Sequence, residues 1–245
     1  MITDKIEQYL VKENNSKPLV ANKVFTTMFT KKCTRQSAYR YWAYKPEEKQ
    51  ARTLINFELG YLVEKMVLDK AKLSGVPIEL NNIWLTVKRG LIHVTCKPDG
   101  LYTNKKDLYN VEIKKMSEYG FKDFKKNNLD DSWGYISQAN MECEAFKQSG
   151  KDVKGTIFIV VNSNTGHIAE EFIPYDKKSV DETFKRIRIV LESTKNTLPE
   201  RAFEPEVRGN KEYLGTQCSY CDFHKLCYPK FKLQISKGGY PLWVN

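Results

Sequence analysis

A chain of 245 residues with 41% hydrophobic, 12% aromatic and 29% charged residues can bury one substantial core, which excludes a disordered or fibrous protein. No apolar run approaches the roughly 20 residues that span a bilayer, and the first residues lack the apolar centre of a signal peptide. No membrane contact and a cytoplasmic location are therefore expected, in a host cytoplasm if the chain is phage-encoded. The net charge of +10 fits a polyanionic partner, nucleic acid first, although a plain lysine-rich protein carries the same sum.

Residues 1–22 read as a short helix and a polar link, and residues 24–44 are dense in aromatic and basic side chains. The apolar positions Leu54, Phe57, Tyr61, Met66 and Leu68 predict an amphipathic helix over 53–74, ended by Gly75 and Pro77. Strands follow at 83–87, 91–97 and 108–114, with a turn at 103–107. Residues 115–128 are basic and aromatic without a clean period. A helix is predicted over 131–147, capped by Ser132 or a neighbouring Asp. A strongly apolar strand at 153–162 turns through Asn-Ser-Asn-Thr-Gly into a partner at 168–173, and an amphipathic helix covers 178–194. Beyond Leu198-Pro199 come a proline-punctuated linker, a cysteine knot at 218–227 and a polar tail. This order predicts an α/β fold with a mixed central sheet flanked by helices. It also divides the chain into an N-terminal helical segment (1–52), a core (53–198) and a C-terminal segment (199–245).

Asp99, beside a turn glycine, precedes Glu112 and Lys114 on one predicted strand. Side chains two apart on a strand share a face, and Asp99 can reach that face across a hairpin. Two carboxylates so close disfavour joint ionisation unless a cation sits between them. A hard divalent metal bound through oxygens is the simplest relief, and a solvated surface pair is the bland alternative.

Six cysteines in a reducing compartment are not expected to form disulfides. Cys218, Cys221 and Cys227, joined by the lone early Cys33, offer four soft thiolates that suit either tetrahedral zinc or an iron–sulfur cluster. His224, inside the knot, is a further possible ligand. Cys96 and Cys143 belong to neither set and read as small core residues. Lys115, Lys122, Lys125 and Lys126 with Tyr119, Phe121 and Phe124 can make a shelf for a DNA strand, ammonium groups on phosphates and rings under bases. Arg35, Tyr39, Arg40, Tyr41 and Trp42 are similar candidates. A solvated lysine face with packed aromatics is the alternative for both groups.

Written as Pro98-Asp99 and Glu112-Ile113-Lys114, the acidic motif resembles that of the PD-(D/E)XK nuclease superfamily. Gly60 with Glu64 resembles the Gly-x3-His of RecB-like nucleases, with the Glu of lambda-exonuclease-like phage enzymes at the His position. Tyr135 with Gln138 resembles their Tyr-x2-Gln element. The early cysteine and late Cys-x2-Cys-x5-Cys resemble the iron–sulfur clasp of AddB-like and CRISPR-associated RecB-like exonucleases. The resemblance implies a restriction-endonuclease-like core whose termini are clasped by a 4Fe–4S cluster on Cys33, Cys218, Cys221 and Cys227, with zinc as the alternative. It implies a DNA exonuclease in which Asp99 and Glu112, aided by Glu64 and the Ile113 carbonyl, bind Mg²⁺ or Mn²⁺. Lys114 would serve the attacking water or the transition state, Gln138 would position substrate or water, and Tyr135 would contact the phosphate. DNA with single-stranded segments is the implied substrate, and recombination or CRISPR proteins are the implied partners. A non-catalytic nucleic-acid-binding module and a DNA-processing subunit of a larger complex are the rival readings. Nothing in the sequence predicts an oligomeric interface.

Overall fold

The alternation at 108–114 is realised as strand β5 (Asp107–Met116), the middle strand of the central sheet. In the computed structural model, which describes residues 1–79, 83–235 and 241–245, β5 runs antiparallel to β4 (Gly100–Asn104) and parallel to β6 (Val153–Asn162). Strands β1 (Ile78–Glu79) and β7 (Ile168–Pro174) complete a mixed sheet in the order β1–β4–β5–β6–β7. Strand β4 was not foreseen beside the expected turn, and it places Asp99 one step before the Gly100–Val111 pair, level with Glu112.

Because successive side chains on β5 point to opposite faces, Val111 and Ile113 pack against Val63, Val67 and Leu68 of helix α4 (Ala51–Leu73). Asn110, Glu112 and Lys114 point the other way, the first two meeting helix α6 (Tyr135–Gln148). The expected buried stripe of α4 is corrected here: Leu54 is buried, but Phe57, Tyr61 and Met66 are exposed. Apolar residues ring this helix, so periodicity alone does not choose its face. The branched Val63 and Val67, one turn apart, fit the flat sheet instead.

Helix α6 is buried on nearly every side. Beyond it lie α2 (Thr26–Phe29), α3 (Thr34–Tyr41), α7 (Lys177–Glu192) and a hairpin of β2 (Leu85–Arg89) and β3 (Ile92–Cys96). Phe29, Ala38, Val87, Val94, Met141, Phe184 and Ile187 form one core there. The strands expected at 83–87 and 91–97 therefore pair with each other and stay out of the central sheet. Cys96 and Cys143 are buried, and burial pushes both thiols up to about 12. Helix α1 (Ile2–Ser16) lies on α4 and buries no residue of its own.

Ser132 does not cap α6. Gly134 occupies the N-cap with φ +80°, and Asp131 accepts the Ser137 N–H (3.0 Å) and hydroxyl (2.6 Å). A Cβ at Gly134 would stand 2.7 Å from the Thr30 carbonyl. Gly134→Ala is expected to cost at least about 1–3 kcal/mol, the usual price of a left-handed non-glycine residue, read as a lower denaturation midpoint.

Residues 115–128 extend β5 and then form α5 (Glu118–Asn127), with Ser117 as N-cap accepting from the Gly120 N–H. Phe121 and Phe124, one turn apart, are buried against Val160. They cannot stack bases, which removes them from the proposed shelf; Tyr119 is exposed.

The expected polar tail is folded where described. Strands β8 (Glu206–Arg208), β9 (Lys211–Tyr213), β10 (Lys232–Ile235) and β11 (Pro241–Val244) form a sheet in the order β10–β11–β9–β8. Residues 236–240 of that tail lie outside the described residues. Short helices α8 (Thr216–Ser219) and α9 (His224–Cys227) carry or flank the late cysteines. Leu214, Tyr228, Phe231 and Trp243 make a small separate core. No described helix is long and apolar enough to cross a membrane.

Candidate active site

Asp99, Glu112, Lys114 and Gln138 meet where β4 begins. Strand pairing ends at Gly100, and the Asp99 carboxylate takes the vacated place in the ladder, accepting the Ile113 N–H at 2.8 Å. Glu112 is 1% exposed. Its Oε1 accepts from the Lys114 ammonium and from Gln138 Nε2 (3.0 Å), while its Oε2 is buried without a partner among the described residues.

Beneath them lies Glu142, a residue that the sequence reading passed over. It is 1% exposed and accepts from Gln138 Nε2 (2.9 Å) and Asn110 Nδ2 (3.0 Å). Its position one turn after Gln138 on α6 was the available signal. Glu64, on α4, is half-buried and lines the same cleft as Asp99 and Gln138. Tyr135 stands apart from that cleft, beside Lys114, whose ammonium lies 5.5 Å from the ring centroid. Ile113 presents its backbone edge to Asp99, as its N–H bond shows.

The electrostatics are lopsided: one ammonium faces a group of carboxylates. Burial, and then the Glu112 charge, push Asp99 up to about 8. Burial followed by Glu112 and Asp99 holds Glu142 well above the usual carboxylate range. Burial alone would lower Lys114, but Glu112 and Asp99 override it and keep the ammonium more firmly protonated than usual. Lys114 is thus held as a cation.

An added cation would remove this conflict. The free Glu112 Oε2, the adjacent Asp99 carboxylate and Glu64 are hard oxygen donors, which suit Mg²⁺ or Mn²⁺. Glu112 Oε1 is turned towards Lys114 and Gln138, and among the described residues no three His, Cys, Asp or Glu side chains are preset to hold one ion. Binding would therefore require these carboxylates to rearrange.

A pH dependence follows. Asp99 has its folded value raised above 3.8, so between about 4 and about 8 the metal-free folded state holds a proton that the unfolded state has released. This contribution to stability is present below about 4 and is lost as pH rises through 8. Glu142 acts in the same direction. The midpoint of metal-free protein is expected to fall from pH 5 to pH 8, and Mn²⁺ is expected to raise it more at pH 8, where the proton to be displaced is already leaving. Thermal scans across that range check both statements.

The cysteines form a second cluster. Cys33, Cys218 and Cys221 line one cavity with Lys31, Gln36 and Trp133, and all four thiols are free. Burial and then Cys33, Cys221 and Cys227 push Cys218 up to about 12; burial, with Cys33 among the added charges, pushes Cys221 up to about 11. Four thiols are soft donors of the type that zinc or an iron–sulfur cluster takes, but among the described residues no three of them are preset to hold one metal. The His224 Nδ1 lies 2.7 Å from the Cys221 carbonyl, and its Nε2 is buried without a partner among the described residues.

Polar straps join this module to the N-terminal segment. Asp222 pairs with Arg40 (3.1 Å) and Lys49 (2.6 Å), and Tyr39 stacks on Phe223 with centroids 5.1 Å apart. Arg35 donates to the Pro199 carbonyl and Trp42 to the Ser193 hydroxyl. Of the residues read as possible DNA contacts, Arg35, Tyr39 and Arg40 are thus engaged with the C-terminal segment and Trp42 with the end of α7.

No family model and no curated protein matches the chain. Among solved structures, that of SSO0001 is similar over 95% of this chain and 98% of that one, with a TM-score of 0.55 at 16% identity, and the likeness is one of fold. LHK-Exo, an alkaline exonuclease from Laribacter hongkongensis, aligns over 75% of this chain and 90% of its own with a TM-score of 0.49 at 12% identity. Its complex with dAMP gives 0.48 at 13% identity, over 77% and 90%. Similarity that slight carries no argument about activity.

Proposed function

We propose that the chain is a Mg²⁺- or Mn²⁺-dependent DNA exonuclease of the PD-(D/E)XK superfamily, RecB-like, acting in DNA recombination, repair or phage DNA processing. The observation that carries this reading is the unpartnered, buried Glu112 Oε2 beside Asp99 and the Lys114 ammonium. Asp99 and Glu112, with Glu64 at the rim and the Ile113 carbonyl, would hold the metal. When bound, the ion would polarise the scissile phosphate and acidify a water. Lys114, held cationic, would meet the charge that develops on the phosphoryl oxygens. Gln138, fixed between Glu112 and Glu142, would orient the water or the phosphate. Tyr135, against Lys114, would contact the strand. The cysteine quartet would hold a 4Fe–4S cluster, or zinc in its place, as a structural clasp.

End-labelled single- and double-stranded DNA with Mn²⁺ tests the reading. Shortening from an end that disappears in Asp99→Ala supports it. No cleavage by wild-type protein, or equal cleavage by the variant, removes it and leaves a non-catalytic binding module.

A further inference from the structure

The cleft that holds the acidic residues is larger than a metal site needs. Its volume is about 360 Å³, and besides Glu64, Asp99, Gln138 and Glu142 its lining includes the rings of Phe25, Tyr61 and Trp84 and the side chain of Lys97. Trp84 is 63% exposed, although its size and apolar surface favour burial. The Phe25 and Trp84 rings lie 6.3 Å apart at 55°, too open and tilted to cover one another's faces.

Both rings adjoin the β2–β3 hairpin that leads to Asp99. Phe25 forms a parallel bridge with Thr95; the Thr95 N–H donates to the Val24 carbonyl at 2.9 Å, and the Thr26 hydroxyl donates to the Thr95 carbonyl at 3.1 Å. Trp84 directly precedes β2, whose Leu85 pairs with Cys96 at the end of β3. Lys97 and Pro98 then lead straight to Asp99. The rings are therefore fixed relative to the catalytic carboxylate by a hairpin and not by a free loop.

We propose that Trp84 and Phe25 form a nucleobase-stacking subsite of the catalytic cleft that takes one unpaired base of the bound strand, with Lys97 meeting an adjacent phosphate. This deepens the nuclease reading and rests on it for the statement that the bound strand is the one cut. A base inside a duplex is covered on both faces, so an aromatic platform in a cleft of this size selects a frayed end or a single strand. Rings offer no hydrogen-bond readout, so the subsite is indifferent to sequence.

The test uses the full chain and a dT 12-mer in which a single abasic residue is moved along the strand, with binding measured without added divalent cation. In the wild type, one position is expected to weaken binding by about 5- to 150-fold when its base is missing. Trp84→Ala should lose a similar factor on the intact 12-mer and should no longer distinguish that position, while Trp84→Tyr should retain most of the discrimination. Circular dichroism verifies that each variant is folded; Trp84→Tyr keeps the test open if Trp84→Ala is not. An abasic profile that is unchanged in Trp84→Ala, or in Trp84→Tyr compared with Trp84→Gln, overturns the proposal. Wild-type protein that cuts no DNA with Mn²⁺ yet shows a Trp84-dependent position supports the subsite and removes the nuclease reading. Cleavage that depends on Asp99 but an abasic profile indifferent to Trp84 does the reverse.

Discussion

Lys114→Ala is expected to lower DNA cleavage by about 10²–10³-fold, the usual cost of removing one preorganised group that stabilises transition-state charge. The same change is expected to weaken the fold, because Glu112 is 1% exposed and Lys114 is its cationic partner. Breaking a buried pair from one side typically costs about 3–5 kcal/mol. The two effects separate in the double variant Lys114→Met/Glu112→Gln. With neither charge present, most of the lost stability should return, since the Gln138 amide and the Asn110–Glu142 bond remain to fill the site. Activity should not return. Urea midpoints and cleavage rates measured on wild type, single and double variants give both quantities. A Lys114→Ala protein with wild-type stability would mean that Glu112 is not held as a buried carboxylate. One with wild-type activity would remove Lys114 from the chemistry.

The part of this site on β5 was legible in the sequence because period-two alternation is a local property. Glu112 and Lys114 had to share a face once the strand was recognised, and a turn glycine beside Asp99 marked where the chain came back. Gln138 was visible through a motif. Glu142 was not, because an isolated acidic residue on a helix is read as solvent-facing until the sheet that covers it is known. The same reason explains α4: a helix with apolar residues all round does not announce which stripe the sheet will take. Trp84 escaped notice for the opposite reason. The sequence places it inside an expected strand at 83–87, whereas β2 begins at Leu85, and its exposure is a tertiary fact. The aromatic and basic run at 24–44 looked like a nucleic-acid surface by composition. The structure engages Tyr39, Arg40 and Trp42 with partners more than 150 residues away, a kind of contact that no local pattern encodes.

The cysteine quartet carries the other large expectation. Protein purified without oxygen should be brown and contain about four irons per chain, as four thiolates holding a cubane require, and Cys218→Ala should bring the iron to near zero. The physical case rests on size. Among its described residues the C-terminal module has one small core cluster, Leu214, Tyr228, Phe231 and Trp243 with Cys218 and Cys227 packed against it, and Phe223 and Val244 buried besides. So few buried side chains seldom order a segment of this length unaided, and a metal-held cross-link is a common supplement. The straps from Arg40, Lys49 and Tyr39 reach Asp222 and Phe223, between the late cysteines, so they persist when a ligand is lost. Hydrogen exchange in Cys218→Ala should therefore rise across β8 to β11 while α3 and the central sheet keep their protection. Cleavage should survive wherever the core stays folded, because none of the four thiols lines the acidic cleft. Colourless protein with one zinc per chain would keep the clasp and change its metal. Colourless, metal-free protein with full protection in β8 to β11 would show that the module is held by its small core and polar straps alone.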